Sequence, residues 1–252
     1  MSMRASASIQ VSGLLFVLAA TSPLQAGCQD PARPRVDWTG CPRTRLMLKG
    51  EDLTGGVLDR AHLASTDLRH ARLIGAKLPG TELSYTRFDE ADLAGADLGK
   101  AVGWKTSFAR ANLEGANFSG ADLSRTSFVQ AKMAGANFSK SEMSRADFSH
   151  ADLTGADLAK AELTRAVFTG AALSGVRLTY ADLARAKLKG LDLAGVDLTG
   201  AYLLLARLKG ADLSRAFGLT QDQLSLACGT GDTKLPPGVP MPDTWPCAPN
   251  PD

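Results

Sequence analysis

A chain of 252 residues, 44% hydrophobic and 21% charged, has room for one or two ordinary domains. Aromatic residues make up only 6%, which suits a thin repetitive core better than a thick globular one. A formal net charge of +2 points neither to a polyanionic partner nor to an acidic, DNA-like surface.

Residues 1–26 read as a secretory signal peptide. Arg4 supplies the positive start, Val11–Ala20 is a short apolar run, and Leu24-Gln25-Ala26 offers cleavage after Ala26. About ten apolar residues are too few to span a hydrocarbon core of roughly 30 Å. Gln25 stands where a lipid-attachment signal before Cys28 would carry Leu. The expected address is the bacterial periplasm or the extracellular space. Four cysteines remain after cleavage, Cys28, Cys41, Cys228 and Cys247, and an even number in an exported chain predicts two disulfides.

Residues 27–45 are expected to form an N-terminal cap containing Val36-Asp37-Trp38 and Cys41. A strict register then occupies the chain from about residue 46 to 215. From Leu48 to Leu213 every fifth residue is a centre, thirty-four in all, and thirty-three are Leu, Phe or Met, the exception being Gly103. The residue two before each centre is usually Ala, as in Ala91-Asp92-Leu93. A period of five fits neither helix nor straight strand. On a helix the centres would spiral around every face, and on a strand they would alternate between faces. The chain must therefore turn once per five residues and wind into stacked coils.

Ala-Asn-Leu-Glu-Gly (111–115), Ala-Asn-Phe-Ser-Gly (116–120) and Ala-Asp-Leu-Ser-Arg (121–125) resemble the A(D/N)LxX signature of pentapeptide-repeat proteins. The resemblance covers about two thirds of the chain. It implies an all-β fold, a right-handed quadrilateral β-helix of four pentapeptides per coil, with each centre and the residue two before it pointing inward. Columns at a period of twenty support four sides independently. Gly55 to Gly195 form one column, Arg125, Arg145, Arg165 and Arg185 another, Phe88 to Phe168 a third, and Thr66, Thr86, Thr106 and Thr126 a fourth. The Phe rings should stack and the threonines should bond from coil to coil. Asp122, Glu142, Glu162 and Asp182, each three residues before an arginine, are expected to pair with the arginine column. Val102-Gly103-Trp104 predicts a local bulge, with Trp104 either filling the dent or lying over it on the surface. The outward aspartates, such as Asp92, Asp97, Asp152, Asp157, Asp182, Asp192, Asp197 and Asp212, read as a solvated face.

Residues 216–252 read as a C-terminal cap. Thr220-Gln221-Asp222-Gln223 fits a capping box, Leu219 and Leu224 occupy staple positions, and Gly229 is a candidate helix stop. Eight and a half coils at ~4.8 Å give a rod roughly 40 Å long. Cys41 and Cys228 flank opposite ends, beyond the ~7 Å reach of a disulfide. Cys28–Cys41 and Cys228–Cys247 are therefore the favoured pairs.

No catalytic group can be assembled, and no metal or other cofactor is expected. His62, His70 and His150 are separated by the winding, and no nucleophile–His–acid set forms around any of them. Two surface features are candidate interaction sites. Lys187, Lys189, Arg207 and Lys209 lie on adjacent coils of one side and could meet anionic lipid, polysaccharide or an acidic protein; the plainer alternative is an ordinary charged rod end. The glycine column could be a smooth packing face, or glycine could simply suit a strained corner. These features imply a non-catalytic exported scaffold or interaction rod, whose partner is a protein or envelope component rather than nucleic acid. An end cap is the candidate surface for a homodimer. Some family members resemble DNA and bind DNA gyrase, but the export signal and balanced charge here depart from that pattern. An enzyme is the third reading, for which no site is found.

Overall fold

The computed structural model describes residues 27–247; the expected export signal at 1–26 lies outside them. From Asp37 onward the backbone forms parallel bridges between residues twenty apart, such as Asp152 with Lys132 and Ala172. Each coil is thus four pentapeptides, and each pentapeptide is one flat side followed by a corner. The rod's axis is lined by centres that are almost all fully buried, with alanines two residues before them also buried.

One unit shows why the sequence takes this form. The Ala151 amide donates to the Phe148 carbonyl across the corner at 3.0 Å. Asp152 donates to Ala131 in the coil before, and Leu153 and Gly155 donate to Ala172 and Ser174 in the coil after, all within 3.0 Å. Four of five amides are then satisfied by backbone. The fifth, on Thr154, donates to the Asp152 carboxylate at 3.0 Å. All eight aspartates read above as a solvated face do this, accepting from the amide two residues on at 2.9–3.2 Å. They hold the corner, which corrects the purely solvating reading. Asparagine serves equally, and in addition Asn112, Asn117 and Asn137 donate side-chain amides to Asp92, Asp97 and Asn117 one coil before.

Every corner residue from Arg35 to Gly210 is left-handed. The column from Gly75 to Gly195 has φ between +60° and +69°, and Arg125, Arg145, Arg165 and Arg185 have φ of 58–61°. An added Cβ would meet nothing within 4 Å at Gly75, Gly95, Gly115, Gly135, Gly155 and Gly175. Glycine sits there for its backbone freedom, not because a partner needs a smooth face.

The interior follows the columns. Phe88, Phe108, Phe128, Phe148 and Phe168 stack with centroids 4.9–5.3 Å apart and planes within 8°. A second stack, Phe118 on Phe138 at 4.8 Å, meets the first edge-on. The buried threonine hydroxyls do bond from coil to coil, but to carbonyls: Thr86 to Leu63, Thr106 to Leu83 and Thr126 to Gly103, at 2.7–2.8 Å. Gly103 produces no bulge, because Val102 keeps both its bridges. Its missing side chain is covered by Thr106 and Leu123, while Trp104 lies outside, edge-on to Tyr85 at 5.2 Å.

Both ends differ from expectation. Winding begins about ten residues before 46, since Asp37 and Pro42 already bridge to Val57 and His62. Trp38 and Arg43 hold the first two centre positions, and a charged residue there hid the register. The Arg43 guanidinium lies 4.2 Å over the Trp38 ring, and both side chains donate to the Asp30 carbonyl, closing the end. At the other end the ladder runs past 215, with Cys228 bridged to Arg207 and Lys234 to Asp212. Helix α1 (Gln221–Leu226) is inserted between the Phe217 and Cys228 bridges, with its capping box formed and Leu224 buried. Gly229 is not its stop. α1 ends at Ala227 in extended backbone, and Gly229 instead lies under the Trp245 ring, where a Cβ would fall 2.2 Å from a ring carbon.

Candidate interaction surface

The coil register decides which charges meet. Lys187, Arg207 and Cys228 are successive rungs of one parallel ladder. Lys189 and Lys209 are joined one coil apart through the Gly190 amide, which donates to the Lys209 carbonyl at 3.0 Å. All four predicted cations therefore gather on one side, and they line a cleft of 430 Å³. Its other wall is the C-terminal tail: Gly229, Thr230, Pro246 and the Cys228–Cys247 disulfide, with Leu205 at the near corner.

The tail is fixed there by three devices. The Cys228–Cys247 bond spans Cα atoms 5.3 Å apart. Trp245 donates its indole N–H to the Ala227 carbonyl at 2.7 Å, and Thr244 donates to Ser225 at 3.2 Å. The N-terminal staple, Cys28–Cys41, sits at the far end, also at 5.3 Å. Both are the pairs that rod length favours. Lys187, Lys189 and Lys209 are exposed, while Arg207 is half-buried. Sequence reasoning missed the wall, because nothing short of the disulfide says that Pro246 returns to coil residues forty positions earlier.

The arginine column is a second basic feature. The expected ion pairs with Asp122, Glu142, Glu162 and Asp182 do not form among the described residues. Asp122 and Asp182 turn instead to the amides of Ser124 and Ala184, and Asp182 also accepts from the Thr164 hydroxyl. Ion pairs on this rod run mostly between coils or around one corner, as in Arg177–Asp157, Arg110–Glu90 and Lys234–Asp212. Arg69 grips Asp67 through two nitrogens, one at 2.8 Å, and this holds the Asp67 carboxyl down at about 2.

The histidines stay apart. His70 meets Glu90 at 3.3 Å, the His150 ring covers Gly170, and His62 is a bridge residue on another side. No cluster of three or more His, Cys, Asp or Glu able to hold a metal ion occurs among the described residues, and no described helix is long and apolar enough to cross a membrane.

Winding and repeat together define the class, a right-handed quadrilateral β-helix capped by one short helix. The chain belongs to the pentapeptide-repeat family. The family pattern described as Pentapeptide repeats (8 copies) matches six overlapping stretches between residues 52 and 215. Among solved structures, the chain is similar to HetL of the cyanobacterium Nostoc sp. strain PCC 7120, a pentapeptide repeat protein involved in heterocyst differentiation regulation. The two are 33% identical over 71% of this chain and 89% of HetL, with a TM-score of 0.42. A pentapeptide repeat protein of the Arabidopsis thaliana thylakoid lumen is 34% identical over 47% of this chain and 77% of its own, at 0.32. QnrB1, a plasmid-mediated fluoroquinolone resistance protein, is 22% identical over 64% and 86%, at 0.38. No curated protein sequence matches the chain.

Proposed function

We propose that this chain is an exported, non-catalytic interaction rod that presents the basic cleft at its C-terminal end to an anionic envelope component. The observation that carries the reading is the convergence of Lys187, Lys189, Arg207 and Lys209 on one cleft whose wall is held by a disulfide. Four cations at one wall are an attractive field for an anion, and the stapled tail keeps the cleft open without a partner to order it. Export is supported by Arg4, the apolar run Val11–Ala20 and the Ala26 cleavage signal, and by four cysteines that are all in disulfides. Gyrase binding through an acidic, DNA-like surface finds less support, because the clefts at Lys187–Lys209 and at Arg145–Arg185 are basic.

The test has two arms. Cell fractionation with N-terminal sequencing should find the chain outside the cytosol, beginning at Gly27. Photo-crosslinking in intact cells from a reactive residue at Thr230, on the cleft wall, should capture an envelope component. That capture should be lost in a Lys187→Ala, Lys189→Ala, Lys209→Ala variant. An uncleaved cytosolic chain, or cross-links indifferent to the three substitutions, would overturn the reading.

A further inference from the structure

The cleft is one end of a longer basic feature. Along the corner that leads to it, successive coils place Tyr85, Lys105, Arg125, Arg145, Arg165 and Arg185, and the next corner residue is Leu205, at the cleft mouth. Lys105 and the four arginines are exposed and form no ion pair among the described residues. Their φ values, 55–61°, are nearly identical, so the five side chains leave the backbone in the same direction. Stacked rings inside the rod put one coil at 4.9–5.3 Å, so the four arginines form a straight row about 15 Å long, and Lys105, its ammonium 4.4 Å over the Trp104 ring, stands at its end. A groove of 380 Å³ runs beside it, between Arg145, Arg165 and Arg185 and the small residues Ser144, Thr164 and Ala184.

This row is costly to keep. Non-glycine residues in the left-handed region are strained, and like charges one coil apart repel. The corner of the glycine column solves the same backbone problem without either cost. Arg110, Gln130, Lys140 and Lys160 stand left-handed at other corners too, so what sets this corner apart is its unbroken run of like charge.

The spacing and shape select the partner. One charge per coil, in a single straight line, matches a linear chain with one anion per repeating unit of about 5 Å. One strand of B-form nucleic acid carries a phosphate about every 3.4 Å of helix axis and winds around that axis, so it leaves a straight row after a few phosphates. An anionic membrane offers a plane of charge, but Glu142 and Glu162 lie beside the arginines on the same side, so the positive strip is one column wide. A sugar in an extended, 1,4-linked glycan advances by close to one coil, and its carboxylates leave alternate edges of the ribbon, within reach of long arginine side chains lying along its middle. Tyr85, exposed and backed edge-on by Trp104, ends the row with an aromatic surface suited to a sugar ring.

The geometry points to a linear acidic polysaccharide with one carboxylate per sugar, a polyuronate, lying along the Lys105–Arg185 corner and ending in the basic cleft. This inference rests on the reading of the rod as an envelope-facing interaction module and names its ligand class. The probe is an oligogalacturonate long enough to span the row, titrated into the full chain. It should bind, its affinity should fall as salt is added, and the neutral galactose oligomer of equal length should not bind. Arg145→Gly with Arg165→Gly should lower affinity on the order of tenfold or more. Glycine fits a φ near +60°, so the double variant should melt no lower than the parent. Gln130→Gly, the same change at a corner off the row, should leave binding unaltered. Equal binding of the neutral oligomer, an unchanged affinity in the double variant, or tighter binding of phosphatidylglycerol vesicles or a single-stranded oligonucleotide would overturn the proposal. If the glycan fails while cross-links from Thr230 still depend on the three lysines, the cleft reading stands and the polyuronate is rejected.

Discussion

At the residue scale the repeat is an accounting of amides. In the unit around Leu153 four of five backbone N–H groups find carbonyls, and the fifth is met by the side chain just before the centre, as in the other units that carry Asp or Asn there. Asp152→Ala therefore removes an acceptor. Water can replace it at an exposed corner, so the loss should be ~0.5–1 kcal/mol, and Asp152→Asn should cost less. Leu153→Lys places a charge in the dry core and should cost several kcal/mol. Thermal melts of the three variants check the order. The same carboxylates set the acid limit. Thr154, through its hydroxyl and its amide, lowers the Asp152 carboxyl, and Arg69 draws Asp67 to about 2. A folded value below the unfolded ~3.9 means that this stability is complete above about pH 5 and drains as pH falls toward 2. Melting temperature should be flat near neutrality and drop in that window, and Asp67→Asn should make the drop shallower. The pentapeptide register told which aspartates face outward. It did not reveal the corner bond, because the fifth amide is an orphan only once the ladder's other bonds are known. The expected pairs of Asp122 and Asp182 with the arginines failed for the related reason that these two acids already hold corners.

At the scale of elements, the interior columns and the caps carry different loads. Phe128 is stacked between Phe108 and Phe148 and met edge-on by Phe118 and Phe138. Phe128→Ala should cost ~3–5 kcal/mol, and Phe128→Leu much less, since leucine fills most other centres. Chemical denaturation would separate the two. Period-twenty comparison made the long Phe stack legible, but Phe118 and Phe138 were lost among leucines on their own side. The C-terminal capping box was legible from Thr220 and Gln223. Its wider purpose was not. Each coil's inner carbonyl near residue 201 is normally met by an amide twenty-one residues on, as Ala181 is by Tyr202. α1 takes that amide away, and the Gln223 side chain replaces it, donating to Leu198 and Ala201 at 2.9 and 2.8 Å. Gln223→Ala should therefore lose more than a simple cap residue, ~1–3 kcal/mol, with faster amide exchange across the last coils. At the N-terminal end, Arg43 at a centre position hid the true start, because a register defined by apolar residues stops at the first charge that is buried for capping.

At the scale of the whole molecule, net charge hides how the charges are arranged. A value of +2 is an average over rows, and a rod sorts its charges by column, so a basic corner and cleft coexist with near-neutrality. A rod also has no long-range contacts to hold its ends; each coil touches only its neighbours, so fraying starts where a coil has one neighbour. The two disulfides close loops at those two places, of 13 and 19 residues by sequence separation. Loops of this size are worth ~3 kcal/mol each in the chain-entropy account. Reduction should then act locally. Hydrogen exchange on the reduced protein should show protection lost over residues 27–45 and 220–247, with the coils around Phe108–Phe148 retained. Losing the tail would also remove the cleft wall made by Pro246 and Cys247 while leaving the Lys105–Arg185 corner in place. A ligand that spans both features should bind the reduced protein more weakly but still depend on Arg145 and Arg165. Uniform loss of protection along the rod would show instead that the coils unfold as one unit and that the staples stabilise the whole.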